Sequence, residues 1–315
     1  MIRYLVVLLS LTLTLNSYAL VDYSDTESSS PAPRAVSKPR PVKAASSIVQ
    51  RSAPGKATSS GASIFGGDFE LEALYENQSL SFDEASGSFQ KLTLAGHFQT
   101  HYNLYIDFGY WAATSELRNS AGADESLENE KGRLKFILGF NWLRFGKSEE
   151  MATVDIYGGG YLKGNGGVAS TRTDKVVGIE TSKRFHNFAL ALGYEYHLTG
   201  TPSAESESSI GNIGILKTSL GWMVSNDISF TLEGGMVSIQ ADTNEDRVNR
   251  IEEASKFSYI KPSLILGLAP SVGLEMGGVF RTRRAHNTDS LVSSRLWNIP
   301  GAYGNSLFAG LKFSI

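Results

Sequence analysis

The chain contains no cysteine. Disulfides are excluded, and so is the thiol that a bacterial lipid anchor requires. It has one apolar run of any length, Leu5 to Leu15, which Asn16 and Ser17 stop well short of the roughly 18 residues that cross a bilayer as a helix. A helical membrane protein is therefore excluded. Histidine is scarce, five in 315 residues, and no nucleophile motif accompanies it. Gly146-Lys147-Ser148 has the end of a phosphate loop, but Asn141 stands where its first glycine belongs. His97 and His101 have the spacing of zinc ligands on a helix, yet on a strand they lie roughly 13 Å apart, too far to share a metal. No cofactor is expected, and no nucleic-acid partner.

The amino terminus has a charged start at Arg3, the short apolar core, and small residues at Ser17-Tyr18-Ala19. These are the parts of a secretory signal over residues 1–19, with cleavage after Ala19. Residues 20–62 change composition to Ser, Ala, Pro and basic residues. Five prolines (Pro31, Pro33, Pro39, Pro41, Pro54) and six cations (Arg34, Lys38, Arg40, Lys43, Arg51, Lys56) fall there, with no acid between Pro31 and Ser60. Without apolar periodicity such a segment cannot offset its ordering entropy, and it reads as a disordered tail. The overall charge of -3 hides this basic stretch within a more acidic remainder.

From residue 63 to 315 the pattern has period two. Phe69, Leu71, Ala73 and Tyr75 alternate with Asp68, Glu70 and Glu72, which places apolar side chains on one face of a strand and carboxylates on the other. The same alternation recurs about twelve times, strongly at Leu134 to Trp142 and Phe188 to Tyr196, weakly at Val177 and Ile179, and with Pro262 as a blemish near Ile260 to Leu266. Tight connections such as Phe185 to Asn187 and Ala269 to Ser271 alternate with long polar ones: Ser115 to Lys131, Gly200 to Ser209, Ala241 to Ser255 and Thr282 to Gly304. An even strand number with short turns at one end and long loops at the other predicts a transmembrane antiparallel up-and-down β-barrel. Its six long connections would face outward and both termini would lie in the periplasm. Trp142, Trp222, Phe98 and Phe313 then fall at one membrane interface and Tyr75, Tyr110 and Phe280 at the other. A soluble β-sandwich also alternates, but it explains neither the loop asymmetry nor the aromatic placement.

The final residues Gly310-Leu311-Lys312-Phe313-Ser314-Ile315 resemble the terminal strand signal of bacterial outer-membrane β-barrel proteins, although the chain closes on Ile315 where Phe is usual. The resemblance implies insertion by the barrel assembly machinery and contact with outer-membrane lipid and lipopolysaccharide. It names a porin-like superfamily and no particular member.

The inward phase carries the candidate site. Upward strands present Glu70, Glu72, Asp107, Asp155, Glu195, Glu233 and Glu275; downward strands present Lys91, Lys135, Lys217, Lys261 and Lys312, with Glu180 breaking the rule. Acid is expected to face base across most of the wall, each opposed pair contributing roughly 0.2–1 kcal/mol. Three functions fit: a narrow pore for small polar solutes, a structural or surface-interaction barrel with a closed lumen, and an outer-membrane hydrolase. For the last, His197 and Glu195 share an inward face, and His197 would need a Ser or Asp within hydrogen-bond reach. The basic tail is either a solvated tether or a plug docked at Glu70, Glu72 and Asp155. Asp242, Asn244, Asp246 and Glu253 occupy positions one, three, five and twelve of a calcium-loop spacing, but Arg247 stands at the glycine position, so a solvated acidic loop is expected. Arg281, Arg283, Arg284 and Arg295 in the last long loop are candidates for lipid phosphates.

Overall fold

The computed structural model describes residues 67–82, 85–100, 102–119, 130–146, 150–165, 167–247 and 249–314. The signal segment, the basic tail, His101, Lys147, Ser148 and Ile315 lie outside them. The described residues form one antiparallel sheet of β1 (Gly67–Ser81), β2 (Ala85–Thr100), β3 (Leu104–Asn119), β4 (Glu130–Lys131), β5 (Lys135–Phe145), β6 (Ala152–Tyr161) and β7 (Asp174–Phe185). It continues through β8 (Phe188–Leu198), β9 (Ile213–Met223), β10 (Ile228–Ile239), β11 (Ser255–Ala269), β12 (Val272–Arg283) and β13 (Ser306–Ser314). Both β4 and β5 pair with β3, so together they make one wall strand broken at Gly132-Arg133-Leu134. The wall thus has twelve strands. It closes because β1 pairs with β2 on one side and with β13 on the other.

Burial in this barrel is inverted relative to a soluble domain. Along β5, Phe136, Leu138, Phe140 and Trp142 are 48%, 49%, 42% and 54% exposed, whereas Ile137 and Asn141 between them are at 2%. Period two therefore sends the apolar set outward and the polar set inward, as a bilayer requires. Phe188, Leu190, Leu192 and Tyr194 do the same on β8, and the Phe188 ring stacks on Trp222 at 5.6 Å near the tight-turn end. Ring closure leaves neither a first nor a last strand among the described residues as a free edge for lipid to satisfy.

Cross-strand pairs of glycine with an aromatic ring pin the register. Tyr105 lies opposite Gly139, Tyr157 opposite Gly178 and Tyr259 opposite Gly235. Each ring occupies the space a Cβ on the facing glycine would take. Replacing Gly139 by Val should therefore force the Tyr105 ring aside at an overpacking cost of about 1–3 kcal/mol. The check is the temperature at which the folded barrel loses its fast electrophoretic mobility in detergent, expected to fall for Gly139→Val and to stay unchanged for Gly158→Ala, whose Cβ has room.

The connections differ from expectation in one respect. The first long-loop-end connection, residues 82–84, is short, because β1 and β2 run on to Ser81 and Ala85 and carry the wall itself further out. β3 likewise continues to Asn119, well past Ser115.

Candidate functional site

The lumen has two storeys. At the tight-turn end and through the middle it is lined by ionisable groups, and all thirteen charged positions read from the alternation are buried or half-buried in the interior. In register, Glu72 faces Lys312 and Glu233 faces Lys261. Glu76 faces Lys91 and bonds it at 2.6 Å. Elsewhere the expected opposition of acid and base is corrected. Asp155 faces Glu180, Lys135 faces Gly109 and Tyr161, and Lys217 faces Gly193 and Gly235. Inward residues recur at every second position, so the stagger between neighbouring strands, and not the residue type, decides which groups meet.

The charges are satisfied mostly on the diagonal. Lys312 reaches Glu70 at 3.1 Å, two residues along β1 from its register mate Glu72. Lys217 reaches Glu195 at 3.0 Å, and the same carboxylate accepts from Tyr157 Oη at 3.1 Å and lies 2.6 Å from His197 Nε2. Tyr259 Oη donates to Glu233 at 2.7 Å. Asp107 meets His97 Nδ1 at 2.6 Å, and the Asn141 amide donates to Asp155. Lys261 carries its ammonium 5.0 Å above the Phe308 ring, and Glu275 faces Ile265 and Gly310.

The long-loop end is closed by an apolar stopper. Residues 284–305, which carry a short helix at Thr288–Val292, fold into the mouth of the barrel. Leu291 and Leu296 are fully buried, and Trp297, Ile299 and Tyr303 nearly so. They join Leu80, Phe89, Trp111, Ile213, Val237, Phe257, Val279 and Phe308, inward residues of eight strands, in one cluster. Trp297 stacks on Phe89 with ring centres 4.3 Å apart. Tyr303 Oη accepts from the Leu296 N–H at 2.6 Å and donates to the Leu291 carbonyl at 2.8 Å, and burial pushes this hydroxyl above its ordinary pKa. The expectation of a polar, outward-facing last loop is corrected here.

A buried ionic knot ties that loop to its neighbours. Arg172 bonds Asp174 at 3.0 Å, Glu207 at 3.2 Å and the Ser294 carbonyl at 2.6 Å. Arg133, at the break between β4 and β5, bonds Asp174 at 2.9 Å and the carbonyls of Leu162, Tyr161 and Arg172. Glu207 also accepts from Ser170 and Thr171. All four charged side chains are at most 1% exposed. Arg295, expected to reach lipid phosphates, instead donates to the Ala169 carbonyl and Ser206 and lies 3.6 Å from Glu207. Arg133, Arg172, Asp174 and Glu207 were not singled out from the sequence, since loops and strand ends have no periodicity to expose them.

The calcium-like loop is held by its own cation. Arg247, at the position where a glycine would turn the chain, bonds Asp242 at 2.7 Å; the Asn244 N–H donates to Asp242 and the Asp246 N–H to Asn244. Glu253 pairs with His286 at 3.0 Å instead of turning inward. Among the described residues no group of three or more His, Cys, Asp or Glu gathers as metal ligands. Burial alone would raise the Asp242 pKa, but hydrogen bonds from Ser209, the Asn244 N–H and Arg247 hold it below the ordinary value. Its stabilising contribution is therefore full above the unfolded pKa of about 3.9 and is lost as pH falls through the lower folded value. Asp242→Asn should speed proteolysis of residues 240–254 at pH 7 and make no difference in strong acid. Equal rates at pH 7 would show that the staple carries no weight.

A closed antiparallel ring with an apolar outer belt, an ionisable interior and long loops at one end defines a transmembrane β-barrel. No protein-family model and no curated protein sequence matches the chain. Solved structures of the same architecture do. The NanC porin aligns over 78% of this chain and 98% of its own at 12% identity, with a TM-score of 0.46. The translocator domain of the autotransporter NalP from Neisseria meningitidis aligns over 81% and 90% at 10% identity, with a TM-score of 0.39. OprD of Pseudomonas aeruginosa aligns over 79% and 94% at 8% identity, also with a TM-score of 0.39. These likenesses are of fold alone.

Proposed function

We propose that the protein is an outer-membrane channel for small polar solutes whose resting state is closed by its own last loop. The observation that carries this reading is the division of the lumen, with buried charges below and one apolar stopper above. A barrel with a purely structural task can fill itself with apolar side chains throughout, as this one does at its long-loop end. Keeping Glu70, Glu195, Glu233, Lys217 and Lys312 inside instead costs desolvation that pairing offsets only in part. The arrangement makes sense for a lumen that is wetted when the loop leaves. In this reading residues 1–19 direct export and residues 20–62 lie in the periplasm with the tight turns. The long loops face outward among lipopolysaccharide, and the barrel assembly machinery inserts the chain.

A second reading has an observation of its own. Trp297 packs on Phe89 and Tyr303 with ring centres 4.3 and 4.4 Å apart, which favours a permanently sealed barrel acting through its outer loops. Planar-bilayer recording separates the two. A channel shows unitary openings, if rare, while a sealed barrel shows none after verified insertion, and the latter result would end the channel reading. Catalysis is not part of the proposal: His197 is engaged by Glu195 and stacked on Tyr161 at 5.7 Å, which supports a positioning role for the ring.

A further inference from the structure

We propose that the lumen holds, directly beneath the cap, a binding site for a neutral polyhydroxylated solute of about monosaccharide size. A cavity of about 170 Å³ lies there between the wall and the last loop. At ~30 Å³ of liquid volume per water, that is room for roughly five or six waters or one small organic molecule. Its walls are mixed in a particular way. Trp297, Ile299 and Pro300 of the cap give an apolar side, and Lys261, Thr93 and Asn298 offer polar atoms.

One of those polar groups lacks a hydrogen-bond partner, and another is engaged only through its charge. The side-chain oxygen of Asn298 is buried with no donor. The Lys261 ammonium sits over the Phe308 ring without a hydrogen-bond acceptor among the described residues. An unsatisfied acceptor beside an ammonium donor on one cavity calls for a ligand that both donates and accepts, as a hydroxyl does. Thr93 adds a second hydroxyl-compatible contact, and the Trp297 side suits the C–H face of a carbon skeleton.

Electrostatics select against a charged ligand. Glu76 and Lys91, which also line the cavity, neutralise each other at 2.6 Å. The charges of Glu233, Glu275, Glu72 and Glu76 also reach the Lys261 ammonium and offset its pull on an anion. A cationic ligand would meet the Lys261 ammonium on the cavity wall. A neutral polyol meets neither penalty.

The inference rests on the channel reading for how the solute arrives, though not for whether it binds. The test uses the full chain in detergent micelles, with D-glucose as the neutral probe and gluconate and glucosamine as its charged counterparts. Glucose should change the tryptophan emission saturably, and Trp297→Phe should abolish that change. Asn298→Ala and Lys261→Met should each weaken apparent affinity at least tenfold, and the charged probes should bind more weakly than glucose. Asn298 is half-buried on the loop, so its truncation leaves the wall intact, and fast electrophoretic mobility confirms that each variant is folded. Absence of a saturable change, or tighter binding of either charged probe, would overturn the site. Saturable glucose binding by a chain that never conducts would support the site and overturn the channel reading.

Discussion

A chain in which residues 285–303 are replaced by a short Gly-Ser turn will conduct ions in planar bilayers at least about tenfold more than the intact chain. The wall does not depend on the loop, because β12 and β13 are paired from Val272 and Phe313 up to Val279 and Ser306. The stopper does depend on it. Burying Leu291, Leu296, Trp297, Ile299 and Tyr303 contributes about 1.5–3 kcal/mol per side chain as an upper range, roughly 10 kcal/mol together. Every 1.4 kcal/mol is a factor of ten in population, so spontaneous departure of the whole loop is rare. Removing it leaves Phe89, Ile213, Val237 and Phe257 wet, and thermal stability should fall as conductance rises. Equal conductance with and without the loop would mean that the obstruction lies among the charged residues lower down.

Glu207→Ala will release the outer loops while the strands stay folded. Its carboxylate accepts from Ser170, Thr171 and Arg172, and Arg295 lies close by. Deleting it removes one of the two carboxylates that the buried Arg172 guanidinium pairs with, leaving Asp174, and breaking one partner from such a buried network costs up to about 3–5 kcal/mol. That cost falls on the residues the knot joins, namely 162–173, 199–212 and 284–305. An added protease should cut these at least about tenfold faster than in the parent, by loss of local stability. Glu207→Gln, which can still accept hydrogen bonds, should lie between the two. Unchanged cleavage in Glu207→Ala would show that apolar packing alone holds the cap.

The wall was legible in the sequence because a barrel writes its two faces with a strict period of two. All twelve wall strands fall where the alternation places them, including the weak one at Val177 and Ile179, which is β7. Parity alone also identifies the inward charges, and Glu76, in phase with Glu70 and Glu72, could have been read the same way. Which inward charges touch was not legible, since the stagger between strands is set by hydrogen-bond register. The cap was only half-written. Leu291, Val292, Leu296, Trp297 and Ile299 make residues 284–305 more apolar than a solvated loop needs, a signal outweighed by the surrounding Arg, Asn and Ser. The knot of Arg133, Arg172, Asp174 and Glu207 has no local signature, because Arg133 and Glu207 come from stretches far in sequence from Arg172 and Asp174 and reach them only through the closed wall.

Thiol accessibility tests the closed outer mouth most directly, and the absence of native cysteine makes it clean. Val279 points into the lumen beneath the cap and is 4% exposed. Val279→Cys, treated with a membrane-impermeant thiol reagent added from the long-loop side, should label slowly in the intact barrel. It should label at least about a hundredfold faster once residues 285–303 are removed, as burial controls thiol reactivity. Prompt labelling of the intact barrel, at the rate of the loop-deleted one, would contradict a lumen closed by its last loop.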